Sequence, residues 1–133
     1  MKTLNLIIKQ KYFDAIMQGR KVQEYREVRP TNQKKFLKFI CNGKELSYDE
    51  AMPDDGEIDI EPIKYDAIRF YVGYNKDRDS ALVEVTDAQF QVIVDENDEL
   101  IYYEYKGEEY FACQVVYELG RILEKNITRK TTI

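Results

Sequence analysis

Apolar residues in this chain come in short runs of strand length, separated by turn signals, and that spacing limits the fold more than any other feature. "TLNLIIK" (3–9), "KVQEYREV" (21–28), "YDAIRFYVGY" (65–74), "ALVEVTDAQFQVIV" (81–94) and "LIYYEYKGEEYFACQVVYEL" (100–119) are rich in β-branched and aromatic residues. They are bounded by Pro30, by "NKDRDS", by the charged tip "DENDE" (95–99) and by a hairpin turn at Lys106-Gly107. One segment between the first two runs follows a helical period instead. In "QKYFDAIMQ", Phe13, Ile16 and Met17 stand at i, i+3, i+4, and Gly19 occupies the place of a C-cap glycine. About six strands in consecutive hairpins with one early helix predict an α+β fold. Its architecture would be a small, mostly antiparallel β-barrel with a short helix between the first two strands.

Two segments read less simply. "NQKKFLKFICNGK" (32–44) groups Phe36, Phe39 and Ile40 on one side as a helix. As a strand it would align Leu37, Phe39 and Cys41 and lead to a turn at Asn42-Gly43, with Lys38 set between Phe36 and Ile40 on the other side. The helix is the better match to the apolar pattern. "ELSYDEAMPDDGEIDIEP" (45–62) has eight acids and no base, and reads as a solvated acidic insertion in a single domain spanning residues 1–133. The residues from Gly120 on read as a short polar tail.

A chain of 133 residues has the size of one domain and can bury a core without covalent staples. It contains no histidine and two widely spaced cysteines, Cys41 and Cys113, which read as reduced packing residues. The lack of histidine excludes the common zinc sites and the Ser-His-Asp and Cys-His arrangements. No metal or cofactor is expected, and acid–base work would fall to carboxylates, Lys, Tyr or water. The apolar start, Leu4 to Ile8, is far shorter than the ~20 residues that span a bilayer, so a soluble cytoplasmic protein without a membrane partner is expected.

The net charge of −5 conceals a division. Residues 1–44 carry eleven Lys/Arg against three acids, and residues 45–133 carry nine against 22. An anionic ligand on the basic side is one reading; mutual neutralisation of the two halves is the other. The basic part contains "GRKVQEYREVRP" (19–30), in which Lys21, Glu24, Arg26 and Arg29 lie within ten residues. In a strand Glu24 and Arg26 share a face, with Val22 and Val28 beside them. Arg offers a planar fork of donors suited to phosphate or a base edge, and a neighbouring carboxylate can hold it or accept from an amine. A plain surface ion pair explains the same residues without a function.

"LNLIIKQKYFDAIMQGRKVQEYR" resembles the signature of the ASCH domain, of the PUA-like superfamily. The motif G-x-K-x-x-E-x-R is filled by Gly19, Lys21, Glu24 and Arg26, and "YDAIRFYVGY" with "ALVEVTDAQF" is similar to later strands. Residues 40 to 62 fall outside the likeness. The resemblance implies a PUA-like β-barrel whose cleft beside the helix binds RNA or modified nucleosides. Short members resemble amidohydrolases that deacylate acetylated cytidine with a Lys, a Thr and a Glu; the Thr position is Glu24 here, and no single residue of the acidic half matches the second carboxylate.

Three functions follow as expectations. The first is binding of RNA, another single-stranded nucleic acid or a modified nucleoside, with Lys9, Lys11, Lys21, Arg26 and Arg29 on phosphate, Glu24 in the cleft, and Tyr25 or Tyr74 stacking on a base. The second is hydrolysis of a modified nucleoside, with Lys21 as base and Glu24 relaying a proton or orienting water. The third is a protein-interaction surface on residues 45–62, with Leu46, Tyr48, Met52, Ile58 and Ile60 as its apolar contacts. The ligand class of the first two is the same, and the oligomeric state is open.

Overall fold

The computed structural model describes residues 1–46 and 58–128. In chain order the elements are β1 (Thr3–Ile8), α1 (Gln10–Met17), β2 (Gln23–Val28), α2 (Gln33–Phe36), β3 (Leu37–Cys41), β4 (Lys44–Glu45), β5 (Ile58–Pro62), β6 (Ala67–Val72), β7 (Ser80–Val92), β8 (Tyr102–Tyr105), β9 (Glu108–Phe111) and β10 (Cys113–Asn126). They form a five-stranded sheet in the order β1-β6-β7-β10-β2, a three-stranded sheet β4-β3-β5, and the β8-β9 hairpin. The α+β class holds, strands dominate, and α1 lies between the first two strands. The sheets are open, with no closed barrel among the described residues.

The chain divides into two compact units. The first is made of residues 1–24, 64–87 and 117–133, the second of 25–63 and 88–116. By their ranges β2, β7 and β10 contribute residues to both.

In the first unit, β1 alternates as its sequence dictates: Leu4, Leu6 and Ile8 are buried while Thr3 and Asn5 are exposed. It pairs in parallel with β6, Leu4 opposite Ile68 and Leu6 opposite Phe70, and β6 pairs antiparallel with β7 on its other side. Ala67, Ile68 and Phe70 are fully buried, and since successive residues of a strand point to opposite faces, β6 is covered on both. Helix α1 buries Phe13, Ala15 and Ile16. It stops in a Schellman motif: Arg20 N–H donates to Ala15 O at 2.9 Å and Gly19 N–H to Ile16 O at 3.1 Å, with Gly19 at φ +74°. The buried carboxylate of Asp79 is satisfied by Gln10 Nε2 and by Thr128 N and Oγ1, which ties residue 128 to the start of β7.

In the second unit, the segment 32–44 is not one helix. Four residues form α2, and Leu37 begins a strand that turns at Asn42-Gly43, both at positive φ, into β4. Lys38, the residue that made a strand look poor, sits opposite Glu61 of β5 and pairs with it at 3.7 Å. Residues 58–62 are therefore a strand and not loop. The rest of the expected insertion and of the proposed interaction surface, residues 47–57, lies outside the described residues. The hairpin at Lys106-Gly107 is observed, and Tyr103 and Tyr110 stack across it, centroids 5.8 Å apart.

The polar tail is corrected too. Strand β10 runs on through Gly120 to Asn126, and its last seven residues are exposed, so no alternation of apolar residues betrays it. Both cysteines are buried and free. Among the described residues no helix is long and apolar enough to cross a membrane.

Candidate functional site

The Schellman turn sets the direction in which the chain leaves α1, and so the position of Lys21. Its backbone N–H is held by Ala15 O at 3.1 Å. Two residues later β2 begins, with Leu119 N–H of β10 donating to Val22 O at 2.9 Å. The Lys21 side chain is thereby caught between a helix end and a strand start.

Its ammonium has three partners. Nζ donates to Gln23 O at 2.6 Å, lies 3.5 Å from Glu24 Oε1, and stands 5.7 Å from the centre of the Tyr12 ring. The Lys21 side chain is 20% exposed and that of Glu24 only 8%. An ion pair so placed has lost most of its hydration, and its worth depends on how completely its hydrogen bonds are met. Lys21 and Glu24 thus meet as a part-buried ion pair.

Along β2 the burial alternates: Glu24 and Val28 are buried, Tyr25 and Glu27 exposed, and Arg26 is intermediate on the Glu24 face. Val22 departs from expectation. It precedes the strand and is 57% exposed, so only Val28 flanks the charged residues from the buried side.

Lys21 also borders a hollow of about 360 Å³ in the first unit, lined further by Ile16, Gly19, Val22, Leu119 and Gly120. That is within the size range of small-molecule sites. Glu24 is not among its lining residues, so the carboxylate backs the lysine and does not face the hollow. The arrangement can offer a fixed ammonium to an anion or to a polar edge of a flat ligand.

The remaining predicted residues are distributed more widely. Lys9 caps α1 through its backbone, accepting from Tyr12 and Phe13 N–H, and its side chain is exposed. Lys11 approaches the ring that Lys21 also approaches, its Nζ 4.9 Å from the Tyr12 centroid. Tyr74 follows β6 and is 86% exposed; Tyr25 is 49% exposed. Arg29 belongs to the second unit. Within the second unit its guanidinium pairs with Glu27 Oε1 at 2.5 Å and lies 4.5 Å from the Tyr103 centroid.

Two participants were missed from the sequence. Tyr12 falls off the apolar face of α1, so periodicity marks it as a solvent residue, yet both Lys11 and Lys21 approach its ring. Glu118 accepts from Gln23 Nε2 at 2.6 Å and brings a carboxylate of the acidic half to the start of β2. Ninety-five residues separate the two, and no local signal connects them. Among the described residues no cluster of three or more His, Cys, Asp or Glu is gathered to hold a metal.

No protein-family model, curated protein or solved structure matches the chain.

Proposed function

We propose that the chain is an ASCH-type module of the PUA-like class, binding RNA, another single-stranded nucleic acid or a modified nucleoside at the Lys21 hollow. The observation that carries this reading is the way Lys21 is held: a mostly buried ammonium, fixed by a carbonyl, a carboxylate and a ring, on the border of a hollow of nucleoside-site size. A cation fixed in this way loses little freedom when it meets an anion or a base edge. Lys9 and Lys11 supply further positive charge from the start of α1, and Arg26 is a further phosphate contact in this reading. The exposed rings of Tyr25 and Tyr74 are the candidates for stacking. Arg29, which lines a cavity within the second unit and not the Lys21 hollow, is left out of it.

The contact between Lys21 and Glu24 favours a second reading, hydrolysis of a modified nucleoside. Lys21 would be the group nearest the ligand, with Glu24 behind it as its proton partner. The hydroxyl that short ASCH amidohydrolases carry at the Glu24 position is lacking here.

One screen tests both. Modified nucleosides and short RNAs are assayed by thermal shift and by product analysis on the wild type and on Lys21→Ala. Loss of a charge-assisted contact should weaken binding by about tenfold or more, with no product from either protein. Wild-type turnover that Lys21→Ala abolishes while still binding would establish the hydrolase. No binding by the wild type up to about 1 mM would remove both readings.

A further inference from the structure

The second unit contains a cavity of about 320 Å³ that is independent of Lys21. Its walls are mainly apolar and aromatic, with Phe39, Tyr103, Tyr110 and Phe111 among them and the buried thiol of Cys113 alongside. Among the described residues that line it, Arg29 is the charged one.

That cation is positioned from three directions. Asn32 Oδ1 accepts from the Arg29 backbone N–H at 2.7 Å. The guanidinium lies over Tyr103, and Tyr103 is itself stacked on Tyr110, with the planes 23° apart. Glu27 Oε1 takes one terminal nitrogen of a fork that has five N–H donors. Glu27 is half exposed, so exchanging its carboxylate for another on the same fork meets little resistance.

We propose that this cavity binds a small aromatic molecule carrying one carboxylate. The ring would lie among the aromatic walls, where offset and edge-to-face contacts are favourable. The carboxylate would pair with Arg29, displacing or sharing Glu27. Charge complementarity narrows the class. Among its described residues the second unit carries seven Lys/Arg against eleven acids, a surrounding that disfavours polyanions while one guanidinium matches one negative charge.

The test uses the full chain and 8-anilinonaphthalene-1-sulfonate, whose fluorescence rises in an apolar site. Indole-3-acetate and its neutral analogue indole-3-ethanol then compete for the dye. The wild type should prefer the acetate by about tenfold, the effect of one charge-assisted pair. Arg29→Met, which keeps the apolar stem, should reduce that preference to about twofold or less. Glu27→Gln should strengthen indole-3-acetate and leave indole-3-ethanol unchanged. Alkylation of Cys113, followed on its peptide by mass spectrometry, should slow when indole-3-acetate is bound, and Lys21→Ala should alter none of these results. Equal displacement by acid and alcohol in the wild type, an unchanged preference in Arg29→Met, a Glu27→Gln variant that binds the acid no better, or the absence of dye binding would each overturn the proposal. Should Arg29→Met fail to melt cooperatively, the Glu27→Gln comparison decides alone.

Discussion

At the scale of single residues, the charges of this chain differ in how far they are held. Lys21 has given up most of its water for a carbonyl, a carboxylate and a ring, whereas Arg121 pairs with Glu84 at the surface, 3.2 Å apart. Hydrogen bonds from Arg121, first from its side chain and then from its backbone, hold the Glu84 carboxyl below its ordinary value of 4.5. A lowered folded value means that the unfolded chain takes up the proton first as acid is added. The contribution of the pair is therefore complete above 4.5 and is lost as pH falls through the folded value. Arg121→Gln should lower the urea midpoint slightly near neutrality, and the gap to wild type should close on titration into acid. A gap that stays constant across that range would mean that Arg121 acts through packing and not through the Glu84 charge.

At the scale of elements, turns are where sequence and structure agree best, because a residue at positive φ is chosen by local sterics. Gly19 was legible as a helix stop for that reason. A Cβ at Gly19 would have nothing within 4 Å, so Gly19→Ala tests the backbone alone and should cost about 1 kcal/mol by urea denaturation, with Gly19→Asn costing less. The two hairpins make a natural comparison. Asn42-Gly43 and Lys106-Gly107 both have positive φ at each turn residue, the geometry of a type I′ turn. Asparagine adopts the left-handed region at lower cost than lysine, so Lys106→Asn should stabilise the β8-β9 hairpin by about 0.5 kcal/mol. No gain in the denaturation midpoint would show that the Lys106 side chain, 5.4 Å from the Tyr105 ring, offsets the strain of its backbone. What was not legible lay where tertiary pairing overrides local pattern. Segment 32–44 looked helical because Lys38 interrupts a strand face, and only the distant Glu61 makes that position acceptable. The end of β10 was read as tail because it is a strand with neither face buried.

At the scale of the molecule, the basic and acidic parts of the sequence do not stay as two halves of the chain. Sorted by unit, the described residues of the first carry eleven Lys/Arg against nine acids and those of the second seven against eleven. The unit that holds Lys9, Lys11 and Lys21 is thus the basic one, an outcome that no running count along the chain could give, since the acidic β5 and the cationic Lys34, Lys35 and Lys38 fall together in the other. The Lys21 group was legible in part, since Lys21 and Glu24 are three residues apart, whereas Glu118 and the ring of Tyr12 required the fold. If the proposed nucleic-acid reading holds, the basic unit should govern the salt dependence of binding. Each phosphate neutralised on a single strand contributes about −0.7 to the slope of log K against log salt, so contacts from Lys9, Lys11, Lys21 and Arg26 give a slope of about −2.8. Fluorescence anisotropy with a short labelled RNA should show Lys9→Gln and Lys11→Gln each reducing the slope by about 0.7, additively in the pair. Arg29→Gln should leave it unchanged, because that guanidinium lines the cavity of the second unit and is not among the residues around the Lys21 hollow. A slope near zero in the wild type, with binding intact, would exclude phosphate as the recognised group and leave an uncharged nucleoside as the ligand of the hollow.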